Sequence, residues 1–449
     1  MKDELKEKYG LPTAVAMVVG IVIGSGIFFK AEKILLATGG NLQIGILAWV
    51  LGALIAVSCA CAFAVMAAHF DSASGVIDYA TATVGKDYAY YLGWFMSTIY
   101  YPCLTGCLAW VSARYTCVLL NYDIVGGECM TITMLYLITI FFINAVAPLL
   151  AGKLQISLTI IKLIPILLLA VVGTFVGLSN GLLAENFSVV SADVTVKSPL
   201  FTALAATSFA YEGWIIATTI SGELKDAKRN MPIALVLGVG SVGLIYLLFY
   251  TGMAGAVPNS VLMESGQDGT IIAYVNLFGD AAAILLFVFV VLSCLGTCNG
   301  LMMGCARGFY GMAQRGRGPA PKMLAQLDGY TNMPNNAAAA GLLFATLWSV
   351  YFYFGTLMQE LGPFNFDSSE IPIITLYAFY IPVFLMFMKK GEGESTLKRY
   401  VFPGLGILGS AFMVFAGIMS YGVSTLYYLM VFGVVMLIGA AYAKEKSID

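Results

Sequence analysis

The chain alternates long apolar runs with short polar breaks. Twelve runs are long enough to cross a bilayer, which takes about 20 residues of helix. They fall near 12–37, 43–68, 88–119, 130–150, 154–178, 200–221, 232–256, 270–305, 337–356, 371–388, 401–420 and 425–443. Strands of a membrane β-barrel are far shorter. The expected fold class is therefore all-α integral membrane, with twelve transmembrane helices.

Two runs are interrupted in their middle. The first carries Gly20-Ile-Val-Ile-Gly24-Ser25-Gly26-Ile27-Phe28. Each Gly costs a helix roughly 1 kcal/mol relative to Ala, and broken backbone at membrane depth survives only against protein or a watery cavity. A break here frees N–H groups on the outer half-helix and C=O groups on the inner one, an arrangement suited to the carboxylate and ammonium of an amino acid. A small-residue packing seam, with Gly20 and Gly24 four apart, is the alternative. The sixth run reads Phe209-Ala210-Tyr211-Glu212-Gly213-Trp214 and continues to Glu223. A carboxylate, a glycine and aromatic residues in mid-span suit a second break lining a cavity. The alternative for Glu212 is that it caps a kink or faces an internal water.

The two breaks lie five runs apart, in the first and the sixth. Five is odd, so a repeat with that offset has opposite topology. The expected domains are a first repeat over 12–178 and a second over 200–390. Two extra helices over 401–443 follow, with short tails at 1–11 and 444–449. Breaks one and six are expected to be the broken helices of this 5+5 inverted repeat, with substrate between them. The repeat is not visible as sequence identity.

Lys162 lies inside the fifth run, about ten residues and roughly 15 Å from its cytoplasmic start. A lysine stem cannot snorkel that far. The residue is expected to face a cavity, with backbone carbonyls around Gly20 to Gly24 as partners. The loop after the sixth run, Glu223 to Pro232, reads as an inner gate or as a solvated turn, with Pro232 opening the seventh helix. Asn299 in the eighth run has a small, polar neighbourhood that suits a central pathway, and Arg315-Gly-Arg-Gly at its end suits anionic headgroups.

Composition agrees with the membrane class: the chain is 60% apolar and 11% charged, where soluble domains carry about 25% charge. With the N-terminus placed in the cytoplasm, most of the 23 Lys and Arg residues fall on the inner side. Lys30, Lys33, Arg114 and Lys197 fall outside, and Lys162 within a span. Both termini are thus expected to be cytoplasmic. No cleavable signal is expected. No basic face suggests nucleic acid. The nine Cys residues read as small packing residues, and a single His, His69, leaves no basis for His catalysis or a His relay. No metal site, cofactor or enzymatic activity is expected, and no filter-like loop or acidic ring suggests a channel.

Together the motifs resemble a known group. Ile23-Gly24-Ser25-Gly26-Ile27-Phe28, Phe209-Ala-Tyr-Glu-Gly-Trp214, Gly222-Glu223-Leu, Arg229-Asn-Met-Pro232, Asn144, Gly152-Lys153, Thr159-Ile-Ile-Lys162 and Asn299-Gly300 with Arg307 carry the resemblance. The chain resembles the amino acid–polyamine–organocation superfamily. Within it, the chain is similar to the bacterial branch of the L-type amino acid transporter family, which includes serine/threonine and alanine-serine-cysteine exchangers. The resemblance implies alternating access and sodium-independent exchange of amino acids at the plasma membrane. It implies that the substrate carboxylate meets the backbone at Ser25, Gly26 and Ile27. It places the amino group at carbonyls around Val22, Ile23, Phe209 and Ala210, beside Gly24, Glu212 and Gly213. Phe209 is implied as a gate, and Lys162 occupies the region where sodium-coupled relatives hold a cation. Lys162, Phe209 and Glu223 are the expected gating and coupling residues. A pocket lined by spans one, three, six and eight is expected for the side chain, with small neutral amino acids favoured and a cationic amino acid or amine kept open by Glu212. Proton-coupled symport on the same scaffold is the alternative. Animal members join a single-span partner through a Cys in the loop between spans three and four. Cys129 lies there, but no obligatory protein partner is expected. A Gly26→Leu change is expected to fill the carboxylate site.

Overall fold

The interruption expected in the first run is a real break. Helix α1 (Leu11–Val22) and helix α2 (Gly26–Ala37) bend by 41° across it. In this computed structural model residues 10–24, 26–70, 75–147, 161–188, 198–265 and 269–445 are described, with backbone only at 29, 219–223 and 283. Helix α3 (Leu42–His69) starts on Asn41, whose side chain accepts the Ile44 N–H at 3.1 Å and so satisfies one orphan donor of the first turn. A short α4 (Val76–Thr83) leads to Gly85, at φ +137°, and then to α5 (Lys86–Leu120). Asn121 ends α5 in the left-handed conformation. Helices α6 (Gly127–Val146), α7 (Ile161–Ser179) and α8 (Leu182–Ser188) complete the first half.

The second half opens with α9 (Pro199–Ala210), with Pro199 at its first position. A turn at 211–213 then leads into a 3-10 helix, Trp214–Glu223. Helix α10 (Ala227–Ala256) follows, then α11 (Asn259–Ser265), α12 (Gly269–Phe278) and α13 (Asp280–Gln314). Helices α14 (Asn335–Leu357), α15 (Ile371–Lys390), α16 (Leu397–Tyr421) and α17 (Ser424–Ala441) end the chain. Among the described residues eleven helices are long and apolar enough to span a membrane, and the α1–α2 pair makes a twelfth. The protein is all-helical and multi-pass, as the apolar pattern predicts.

Three boundaries differ from the sequence reading. The run at 270–305 is two helices, because Gly279 turns left-handed at φ +81° and Asp280 begins α13. Pro232 does not open the seventh span. Asp226, left-handed at φ +48°, precedes Ala227, and Pro232 sits inside α10. Cys129 lies in the first turn of α6, fully buried, and not in a loop.

The fold divides into two units. The first takes its described residues from Met1–Gly75, Thr159–Val290 and Tyr380–Tyr421. Its core centres on Trp49, whose ring lies 5.7 Å from Tyr211 and 5.5 Å from Tyr246, both edge-on. Tyr211 also donates its hydroxyl to the Trp49 carbonyl at 3.1 Å. Such edge contacts add about 0.5–1.5 kcal/mol each beyond burial. Helices α7 and α10 cross backbone to backbone where Gly173 and Gly177 meet Gly252 and Gly255. The small-residue seam of this unit therefore lies there.

The second unit takes its described residues from Val76–Leu158, Val291–Phe379 and Gly422–Asp449. Trp348 donates its ring N–H to the Thr98 carbonyl, Tyr90 its hydroxyl to that of Gly439, and Trp94 its ring N–H to that of Val435, each at 2.8 Å. Buried Asn144 donates to Asn299 at 2.8 Å. Cys298 and Cys305 pack beside Thr105 as free thiols.

Candidate functional site: two broken helices held in contact

Helix α1 stops because Ile23 leaves helical geometry at ψ 98°, after its N–H closes on the Val19 carbonyl at 2.9 Å. Helix α2 restarts at Gly26. A restarted helix presents the unpaired N–H groups of its first turn, and the end of α1 presents unpaired carbonyls. The two ends therefore carry opposite partial charges.

The second break is built differently. Helix α9 ends when the Tyr211 N–H closes on the Thr207 carbonyl at 3.0 Å and Glu212 N–H on that of Phe209 at 3.4 Å. Gly213 then adopts φ +107°, which L side chains rarely adopt. The following ten residues wind as a 3-10 helix. Runs beyond three or four such residues are uncommon, and a mid-span stretch marks a hinge or a strained sequence.

The two breaks touch. A Cβ on Gly26 would stand 2.7 Å from the Ala210 Cα, and one on Gly213 would stand 3.0 Å from Ile21 Cγ2. Only glycine at both positions permits this approach. Around it the structure gathers Val22, Ile23, Gly26, Ile27, Phe209, Ala210 and Gly213, all with buried neighbours in the first unit. Gly24 lies in the bend itself, and Ser25 lies outside the described residues.

Polar side chains occupy several freed carbonyls. Lys162, on α7 and only 2% exposed, donates its ammonium to the Gly20 carbonyl. This is the partner that its mid-span position predicts. The Tyr246 hydroxyl of α10 donates to the Val22 carbonyl at 3.2 Å. Tyr246 has no signal in the sequence, being one Tyr in a long apolar run. Glu212 is buried in the turn. Cys59 of α3 hydrogen-bonds Ser410 at 3.4 Å and lies within 3.7 Å of the Gly406 carbonyl. Glu223 ends the 3-10 helix, about 20 Å of rise from the Gly213 turn at roughly 2 Å per residue, so it stands at the far end of the element from the break.

Two of the cations counted to the outer side are buried within helices. Lys30 lies inside α2, fully buried, with its ammonium 4.9 Å from the centre of the Phe209 ring. Arg114 lies inside α5, buried, above the rings of Trp110 and Tyr115. The depth argument that singles out Lys162 applies equally to Lys30, which sits one turn beyond Gly26 and seven residues before the end of α2. Buried Glu32, two residues on, accepts the Thr270 N–H at 3.0 Å.

The basic end of α13 is tied within its own unit. Arg315 pairs with Asp78 and Arg317 with Asp87, each at 2.8 Å, beside a cavity of about 200 Å³. His69 pairs with Glu394 at 3.2 Å. Among the described residues no group of three His, Cys, Asp or Glu side chains could hold a metal ion.

Comparisons with known proteins agree with this architecture. Residues 9–441 match the amino acid permease family. The serine/threonine exchanger of Bacillus subtilis (strain 168) is 27% identical over 419 residues, 91% of each chain. The cadaverine/lysine antiporter of Escherichia coli (strain K12) is 26% identical over 418 residues, 91% of this chain and 89% of that one. The b(0,+)-type amino acid transporter 1 of Mus musculus is 24% identical over 425 residues, 93% of this chain and 83% of that one. With a family match across nearly its whole length, the chain belongs to the amino acid permease family of the amino acid–polyamine–organocation superfamily.

Proposed function

We propose that the protein is a sodium-independent antiporter that exchanges small neutral L-amino acids, of the alanine, serine, cysteine and threonine type, by alternating access. The observation that carries this reading is the contact between the breaks. The N-terminal end of α2, at Gly26 and Ile27, is suited to a carboxylate. The C-terminal ends of α1 and α9, at Val22, Ile23, Phe209 and Ala210, are suited to an ammonium. These are the two groups that all α-amino acids share. The exchanger relative supports exchange of small hydroxylated amino acids. Lys162 on the Gly20 carbonyl supports sodium independence, because an ammonium there repels a second cation.

The inverted-repeat reading gains support from the units. Spans offset by five, one with six and two with seven, contribute to the first unit, and four with nine to the second, while span eight is divided between the units at Val290. The proposed setting is the plasma membrane, with both termini cytoplasmic and no obligatory protein partner. Phe209 is the proposed gate, with Lys162 and Glu223 in coupling roles.

Purified protein in sodium-free liposomes tests the proposal. Labelled alanine should enter vesicles loaded with unlabelled alanine or serine at least tenfold faster than empty ones. Equal uptake into empty vesicles, driven by an imposed proton gradient, would overturn exchange. It would favour proton-coupled symport, the reading that a buried ammonium at Lys162 also permits.

A further inference from the structure

Lys30 is a buried charge that the proposed function leaves unused. It lies in α2 four residues, one helical turn, after Gly26. Helical side chains lean back toward their own N-terminus, so Lys30 covers the turn that begins at Gly26. The ammonium is fully buried and sits 4.9 Å from the Phe209 ring centre, while Ala210, the next residue of α9, touches Gly26. A full positive charge, the positive end of a half-helix and the proposed gate ring thus converge on one turn. A buried ammonium at membrane depth is costly and marks a functional position.

Resting on the exchanger reading, we infer that Lys30 is a substrate-selecting residue, which makes binding depend on a free carboxylate. Its charge attracts the substrate carboxylate to the first turn of α2 and holds the Phe209 ring beside that group. Substrates that lack a carboxylate gain nothing from it, and cationic amines are repelled. The class excluded is therefore amino acid amides and decarboxylated amines.

The test is inhibition of labelled alanine exchange by L-alanine and by L-alaninamide, which differ at the carboxylate. Wild type, Lys30→Gln, Lys30→Arg and Phe209→Leu are compared in the same loaded vesicles. Wild type should prefer L-alanine by at least a hundredfold. Lys30→Gln should shrink that preference at least tenfold, by weakening L-alanine and by relieving the repulsion of cationic L-alaninamide, and Lys30→Arg should restore most of it. If Lys30→Gln yields no folded protein, Phe209→Leu carries the test and should shrink the preference at least threefold. A preference unchanged in the folded variants, or equal losses for both compounds, overturns the role of Lys30. Absence of alanine exchange in wild type overturns instead the exchanger reading on which it rests.

Discussion

Gly26→Ala abolishes exchange and lowers the melting temperature of the purified protein. The added Cβ would stand 2.7 Å from the Ala210 Cα, closer than real Cβ atoms come. The clashing atom is backbone, so no rotamer change relieves it, and the two broken helices must part. Overpacking costs about 1–3 kcal/mol where side chains adapt, and a backbone collision belongs at or above the upper end. The larger Gly26→Leu change, expected from sequence to fill a carboxylate site, meets this obstacle before any substrate arrives. Gly240→Ala is the control. A Cβ there meets nothing within 4 Å, so melting temperature and exchange should hold. A Gly26→Ala protein that melts and exchanges like wild type would show that the breaks do not touch.

Lys162→Met changes the working cycle without changing substrate choice. The wild-type ammonium is buried on the Gly20 carbonyl at the end of α1. Leaving such a carbonyl without its donor costs about 1–3 kcal/mol. The conformation that carries the contact loses that much against one that lacks it, a shift of roughly 5- to 150-fold in their ratio. Alanine KM measured from the two faces of the vesicle should therefore diverge, and turnover should fall at least tenfold. The order of preference among alanine, serine, cysteine and threonine should stay the same. Unchanged KM on both faces together with unchanged turnover would remove Lys162 from the cycle.

Much of this was legible because the bilayer allows so few solutions. Apolar runs of about 20 residues have to be helices, and glycine or a carboxylate within such a run is costly enough to demand a reason. That logic leads from Gly24, Gly26, Glu212 and Gly213 to both breaks, and from Lys162 to the carbonyls of α1. Identity alone did not reveal how the breaks meet. The contact of Gly26 with Ala210 joins residues far apart in sequence, and only the fold brings them together. Tyr246 was silent for the same reason, since a Tyr in an apolar span is ordinary until its hydroxyl has a target. Lys30 was counted with the outer cations although it lies within the 12–37 run, and its burial beside Phe209 emerges only from the fold. The division at Gly279 was hidden because apolar residues continue across a turn that only the backbone dihedral reveals.

The most direct test of the central claim is an experimental structure of the purified protein with bound L-alanine. The account predicts the alanine carboxylate within hydrogen-bonding distance of the N–H groups at Gly26 and Ile27. Its ammonium should lie against carbonyls at the ends of α1 and α9, with the Phe209 ring beside it. Alanine density elsewhere in the protein, with the two breaks empty, would contradict the account.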